Sequence, residues 1–188
     1  GNPLMANADF ATIFGVGTVI YGVSFLINGP LTDRFGGKKA ILAGAGGAAL
    51  MNLIMGLCTW ILVTLRPGSD FIADNFVALF SVLYAANMYF QSFGAVAIVK
   101  VNAPWFNVRE RGVIGAVFGI LISLGIYFAF DWSSFILEHL PMQWVFLMPA
   151  CILALFWLID LFVVKDRPSK AGHQDIYLGD ATSGDEDA

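Results

Sequence analysis

Charge is scarce in this chain. Only 13% of its 188 residues are Asp, Glu, Lys or Arg, where a water-soluble domain carries about a quarter. So low a polarity excludes a disordered segment and a nucleic-acid-binding domain. Cysteine is nearly absent, and Cys58 and Cys151 both lie in apolar runs, where a thiol behaves as a small hydrophobe and no disulfide framework is implied. Of the two histidines, His139 sits beside Glu138 and His173 lies near the C-terminus. Neither has metal-ligand spacing to another His or Cys, so no metal or other cofactor is expected. The chain has no phosphate-cradling glycine loop and no nucleophile–base pair, and nothing in it argues for an enzyme. No basic region precedes the first apolar run and no small-residue cleavage site follows it, so nothing here resembles a cleavable signal peptide.

What the chain has is apolar surface. It is 58% hydrophobic, with seventeen Phe and five Trp, more than a soluble monomer can hide. Five stretches reach the roughly 20 residues that a helix needs to cross a bilayer. They run Phe10–Asn28, Ala40–Leu65, Phe76–Lys100, Val113–Phe130 and Trp144–Val164. No ten-residue alternation marks barrel strands. The expected fold is an all-α membrane protein with five transmembrane helices and lipid as their solvent. Residues 1–9 form an outward segment, 10–164 the membrane domain, and 165–188 a cytoplasmic tail.

The bases set the orientation. Arg34, Lys38 and Lys39 fall in the first connection, Arg109 and Arg111 in the third, and Lys165, Arg167 and Lys170 after the last span, against Arg66 alone on the other side. An excess of Lys and Arg marks cytoplasmic loops, so the C-terminus is expected inside and the N-terminus outside. Trp105, Trp132 and Trp144 stand at span edges as interfacial anchors. The formal charge of −4 comes from the tail, where five acids (Asp175, Asp180, Asp185, Glu186, Asp187) follow Ala171 with no base among them. An outside N-terminus with five spans, on a chain starting with Gly, reads as a piece of something longer that lacks an earlier helix.

The first connection reads Gly29-Pro-Leu-Thr-Asp33-Arg34-Phe35-Gly36-Gly37-Lys38-Lys39. It resembles the signature loop between the second and third helices of major facilitator superfamily (MFS) transporters. Gly29 permits close backbone approach, Asp33 and Arg34 can hold a cytoplasmic gate shut, and Gly36 and Gly37 allow a tight reversal. The family usually has Arg where Gly37 stands and a smaller residue than Thr32.

Further on, Phe90-Gln91-Ser92-Phe93-Gly94 leads to Trp105-Phe106-Asn107-Val108-Arg109-Glu110-Arg111-Gly112, and the last span exits through Lys165-Asp166-Arg167-Pro168-Ser169. These segments are similar to the organophosphate:phosphate antiporter branch of MFS. The resemblance implies a partial MFS bundle, helices two to six of twelve, in an inner membrane. It further implies exchange of an organic phosphate for phosphate by alternating access, with a missing C-terminal half and a small anionic solute as partners. Gly29, Asp33, Arg34, Gly36, Lys38, Arg109, Glu110 and Arg111 would then belong to the cytoplasmic gate. Glycerol-phosphate transporters carry a Lys and a His where this chain has Phe25 and Pro104, which argues against glycerol 3-phosphate. A symporter of organic anions driven by protons or sodium, and a sensor of sugar phosphate, remain as alternatives.

The remaining candidates each have two readings. Lys100 is the one base in a predicted span. It either binds an anion or, about 36 Å along its helix from Phe76, snorkels to the surface. Tyr84, Asn87 and Gln91 share one helical face, and Tyr21, Ser24 and Asn28 form a weaker stripe. Such groups serve as donors to a substrate at the membrane centre or as interhelical hydrogen bonds. Asp160 either relays protons or, as expected from its depth near the interface, pairs with a loop base. Gly44 and Gly47, and Gly112, Gly115 and Gly119, are expected to let helices touch backbone to backbone.

Overall fold

The computed structural model describes residues 5–64, 70–106 and 108–174, with backbone alone for Val108 and Arg109. The acidic tail, Arg66 and the Arg109 side chain lie outside the described residues. The elements in order are α1 (Asn7–Phe35), α2 (Gly37–Thr64), the single-turn α3 (Asp70–Asp74), α4 (Phe76–Asn102), a 3-10 turn (Ala103–Trp105), α5 (Val108–His139), α6 (Trp144–Val163) and a second 3-10 turn (Pro168–Ala171). Among the described residues there is no strand. Five helices are long and apolar enough to cross a bilayer. A helix satisfies its own backbone hydrogen bonds, which lipid cannot do. The molecule is an all-α, multi-pass membrane protein.

The helices outrun the apolar stretches. The first was expected to end at Asn28, yet α1 continues through Pro30 to Phe35. Proline inside a helix removes one hydrogen bond; here α4, itself running on to Asn102, holds the extension in place. α5 likewise starts at Val108 and ends at His139 rather than running from Val113 to Phe130, so most of the connection between the fourth and fifth apolar stretches is helical. Polar residues near a helix end stop the hydrocarbon span without stopping the helix.

α1 and α4 run parallel. Gly17 meets Tyr84, Asn28 meets Ser92, and Asp33 meets Lys100, so the paired positions climb together. α2 runs antiparallel to both neighbours: Gly44 packs on Phe90 and Gly94 of α4, while Leu42 and Lys38 reach Trp157 and Leu161 of α6. Ile13, Met55 and Phe80 form the buried apolar cluster toward one end, and Ala40, Phe93 and Ala97 form that toward the other.

The two glycine stripes part company. A Cβ at Gly44 would lie 3.0 Å from the Phe90 carbonyl oxygen and 3.1 Å from the Gly94 nitrogen, and one at Gly47 would strike the Phe90 ring. These helices do touch as expected. Around Gly112, Gly115 and Gly119 nothing lies within 4 Å of such a Cβ, which corrects the expected close packing there. α5 stands exposed along nearly its whole length, with Ile136 its one buried side chain among the described residues.

Gly44→Val is accordingly expected to destabilise the bundle by about 1–3 kcal/mol, the usual cost of overpacking. Gly119→Val is expected to cost less than about 0.5 kcal/mol. Thermal unfolding of both variants in detergent micelles, followed by circular dichroism, checks the contrast.

Candidate functional site

Two groups of polar side chains stand out: a buried band between α1, α4 and α2, and a charged cluster where most of the bases lie, here termed the basic end. In the band, Asn28 is fully buried, and its Nδ2 donates to Ser92 Oγ at 2.6 Å and to the Tyr89 carbonyl at 3.2 Å. Ser92 Oγ in turn donates to the Tyr89 carbonyl at 2.7 Å. Asn28 Oδ1 and Thr32 Oγ1, one helical turn apart, are buried without a protein partner. Asn87 is buried against α2, its Nδ2 donating to the Ala48 carbonyl at 3.4 Å while its Oδ1 accepts from Gln91 Nε2.

The expected stripe on α4 therefore divides. Asn87 is spent on contacts between and within helices, and Gln91 is exposed beside it. Tyr84 belongs to an apolar neighbourhood instead. Its ring stacks near Phe14 at 6.2 Å and helps line an apolar cavity of about 200 Å³ with Ile13, Met55, Phe80 and Phe146. Tyr21 is half-buried, its ring 6.2 Å from that of Phe25, and its hydroxyl has no hydrogen bond among the described residues.

At the basic end the continuation of α1 carries Asp33 to Lys100 on α4, and the two form an ion pair. Lys100 thus has a third partner beside the two roles open to it in the sequence. Both side chains are largely exposed (46% and 66%), so the pair contributes roughly 0–1 kcal/mol. The connection between α1 and α2 is a single residue, Gly36, at φ 89° and ψ 155°, a conformation only glycine adopts without strain. Gly37, expected to share in the turn, already belongs to α2. A Cβ on Gly37 would strike the Val101 side chain, whereas around Gly29 nothing lies within 4 Å. The close approach expected at Gly29 occurs at Gly37.

Other gate candidates take different positions. Lys38 Nζ donates to the Leu161 carbonyl at 2.6 Å, near the C-terminal end of α6, where a cation is favoured. Arg34 is exposed in the last turn of α1 and makes no ion pair among the described residues. Arg111 Nη2 donates to the Ala103 carbonyl at 2.8 Å and Nε to that of Phe106 at 3.4 Å, which ties α5 to the turn before it rather than to Asp33. Glu110 lies exposed in the first turn of α5. Asp160 has no basic partner among the described residues, contrary to expectation.

The residue that sequence reasoning missed is Asp166. Its Oδ1 accepts the Lys38 backbone N–H at 2.7 Å, its Oδ2 lies 3.5 Å from Lys170 Nζ, and its carboxylate faces Gly36. It caps the first turn of α2 from another helix's exit. Caps are sought just before the helix they serve, and this one lies 128 residues downstream.

Asp166→Ala is expected to remove about 1 kcal/mol of capping and to speed hydrogen exchange at the Lys38 amide by about fivefold. Asp166→Asn keeps an acceptor oxygen and should recover most of the protection. Mass-spectrometric exchange on peptides spanning 36–42 reads both.

This architecture meets known proteins at the level of family. The family model described as Major Facilitator Superfamily matches residues 4–177. The glycerol-3-phosphate transporter of Bacillus subtilis (strain 168) is 21% identical over 178 residues, covering 89% of this chain and 35% of that protein. The phosphoglycerate transporter protein of Salmonella typhimurium is 27% identical over 161 residues, covering 82% and 31%. Sugar phosphate exchanger 3 of Bos taurus is 26% identical over 176 residues, covering 91% and 33%. The chain spans about a third of the length of the curated relatives it matches. A match across nearly every residue, on a bundle of five membrane-crossing helices, places the chain in the Major Facilitator Superfamily.

Proposed function

We propose that this chain forms part of the N-terminal half of a secondary transporter that exchanges a small organic phosphate for phosphate across a cell membrane. The observation that carries the reading is the Asp33–Lys100 pair, which joins the motif on α1 to the one base of α4 at the membrane's edge. The printed names of the three relatives, a glycerol-3-phosphate transporter, a phosphoglycerate transporter and a sugar phosphate exchanger, support phosphate esters as the class. Phe25 and Pro104 still leave glycerol 3-phosphate itself disfavoured.

Alternating access needs two packings close in free energy. A solvent-exposed ion pair of roughly 0–1 kcal/mol suits such a gate. An arriving phosphate ester competes with Asp33 for the Lys100 ammonium, so binding and opening are coupled through one group. Gln91 and Tyr21, both accessible, offer neutral donors beyond it, while Asn87 orients Gln91 and Tyr84 packs below. Asp33 and Arg34, with Gly36 and Lys38 at the turn and Arg109, Glu110 and Arg111 at the start of α5, form the gate. A second half completes the cavity.

The test is flux in proteoliposomes holding the chain together with its C-terminal half. Uptake of a phosphate ester should depend on phosphate loaded inside, and Lys100→Gln should lower it about tenfold or more, the worth of one charge-assisted hydrogen bond. Uptake driven by a proton or sodium gradient into phosphate-free vesicles would replace exchange with symport, and binding without flux would make the protein a sensor.

The basic end is the cytoplasmic one in this reading, by the excess of Lys and Arg. Lys39 and Phe71 are exposed at opposite ends. With Cys58 and Cys151 replaced by Ala, an impermeant maleimide on intact cells should label Phe71→Cys and spare Lys39→Cys. The reverse pattern overturns the orientation.

A further inference from the structure

Between the Gly36 turn, the end of α4 and the chain leaving α6 lies a cleft of about 590 Å³. Four bases line it, Arg34, Lys100, Arg167 and Lys170, against two acids, Asp33 and Asp166. Each acid is held by a lysine: Asp33 by Lys100 and Asp166 by Lys170, with Asp166 also accepting the Lys38 amide. That leaves the guanidinium groups of Arg34 and Arg167, which have no acidic partner among the described residues. They come from separate elements, the last turn of α1 and the residue preceding the second 3-10 turn. Folding, rather than a run of bases in sequence, brings them to one cleft.

Two planar guanidinium forks suit the oxygens of a phosphate group, which each can bind bidentately. Phe35 lines the same cleft and is 55% exposed, giving an apolar neighbour for the carbon chain of a ligand at the membrane surface. Opposite-charge ligands gain most where the host's own charges are left uncompensated. We infer that this cleft is a phosphate-binding site at the membrane edge, taking the headgroup of an anionic phospholipid or a free phosphate through Arg34 and Arg167. The site goes beyond transport, since its occupancy requires no flux.

Native mass spectrometry of the 188-residue chain in neutral detergent tests it, with phosphatidylglycerol or phosphatidylcholine added as probes and inorganic phosphate titrated separately by calorimetry. Phosphatidylglycerol should be retained in preference to phosphatidylcholine. Arg167→Gln should weaken that retention about fivefold, and Arg34→Gln with Arg167→Gln about thirtyfold, at the usual contribution of each base near an anionic surface. Lys39→Gln, a base at the same end but outside the cleft, should change it less than about twofold. Arginine-to-lysine replacements keep the charge and should restore part of the binding, which separates loss of the site from loss of the fold. If inorganic phosphate binds with the same dependence on both arginines, the free ion is a ligand as well; if it does not bind, the lipid headgroup is the source. Failure of both probes to bind, or a Lys39→Gln loss equal to that of Arg167→Gln, overturns the site.

Discussion

A helix in hydrocarbon gains nothing by hiding leucine from lipid, so helices must be joined by what lipid cannot supply: hydrogen bonds and bare backbone surfaces. Each close interface here has such a join. Asn28 reaches Ser92 between α1 and α4, Asn87 reaches the Ala48 carbonyl between α4 and α2, and Trp157 Nε1 donates to the Leu42 carbonyl at 3.0 Å between α6 and α2. Among the described residues α5 has none of these along its membrane span. Ser123 and Ser133 each turn back onto a carbonyl of their own helix, and its glycines meet nothing. The long helix with no such interhelical bond among the described residues is the one that stands exposed.

At the basic end the joins close into a circuit. From the 3-10 turn that follows α4, Trp105 Nε1 donates to the Lys165 carbonyl at 3.3 Å; the neighbouring Asp166 caps α2 beside the Gly36 turn; that turn ends α1, whose Asp33 returns to Lys100 on α4. Three helices and the exit of α6 share these few contacts. Several of them face water, where each is individually weak. Disturbing one therefore bears on all the elements that meet at this end, at modest cost.

The bilayer-crossing rods were legible because the lipid requirement acts on composition and length alone. The helix ends were not. Whether α1 stops at Asn28 or runs to Phe35 depends on its packing against α4, which helps bury Thr32 and brings Lys100 to Asp33 from sixty-seven residues away, and no local pattern carries that. The glycines teach the same limit. Gly44 and Gly47 sit at a packed interface and Gly112, Gly115 and Gly119 at none, though both sets have helical spacing; the spacing permits contact without naming a neighbour. Asp33 and Arg34 were legible as a motif, but Asp166 was not, because a cap supplied from another element leaves no mark beside the helix it serves. Tyr84, Asn87 and Gln91 share a face by periodicity, yet that face meets an apolar cluster at Tyr84, α2 at Asn87 and open surface at Gln91.

The α1–α4 pair also has an inbuilt asymmetry. Its dry contact, Asn28 with Ser92, is fully buried; its wet contact, Asp33 with Lys100, lies eight residues further along α4, about 12 Å. Opening the dry one leaves buried polar groups without partners, at about 1–3 kcal/mol. Opening the wet one exposes charges that water already solvates, at roughly 0–1 kcal/mol. Any separation of the two helices therefore begins at the basic end and is resisted at Asn28. The same sequence interval thus holds a fixed point and a loose one, and the continuation of α1 past Pro30 is what sets them a lever arm apart.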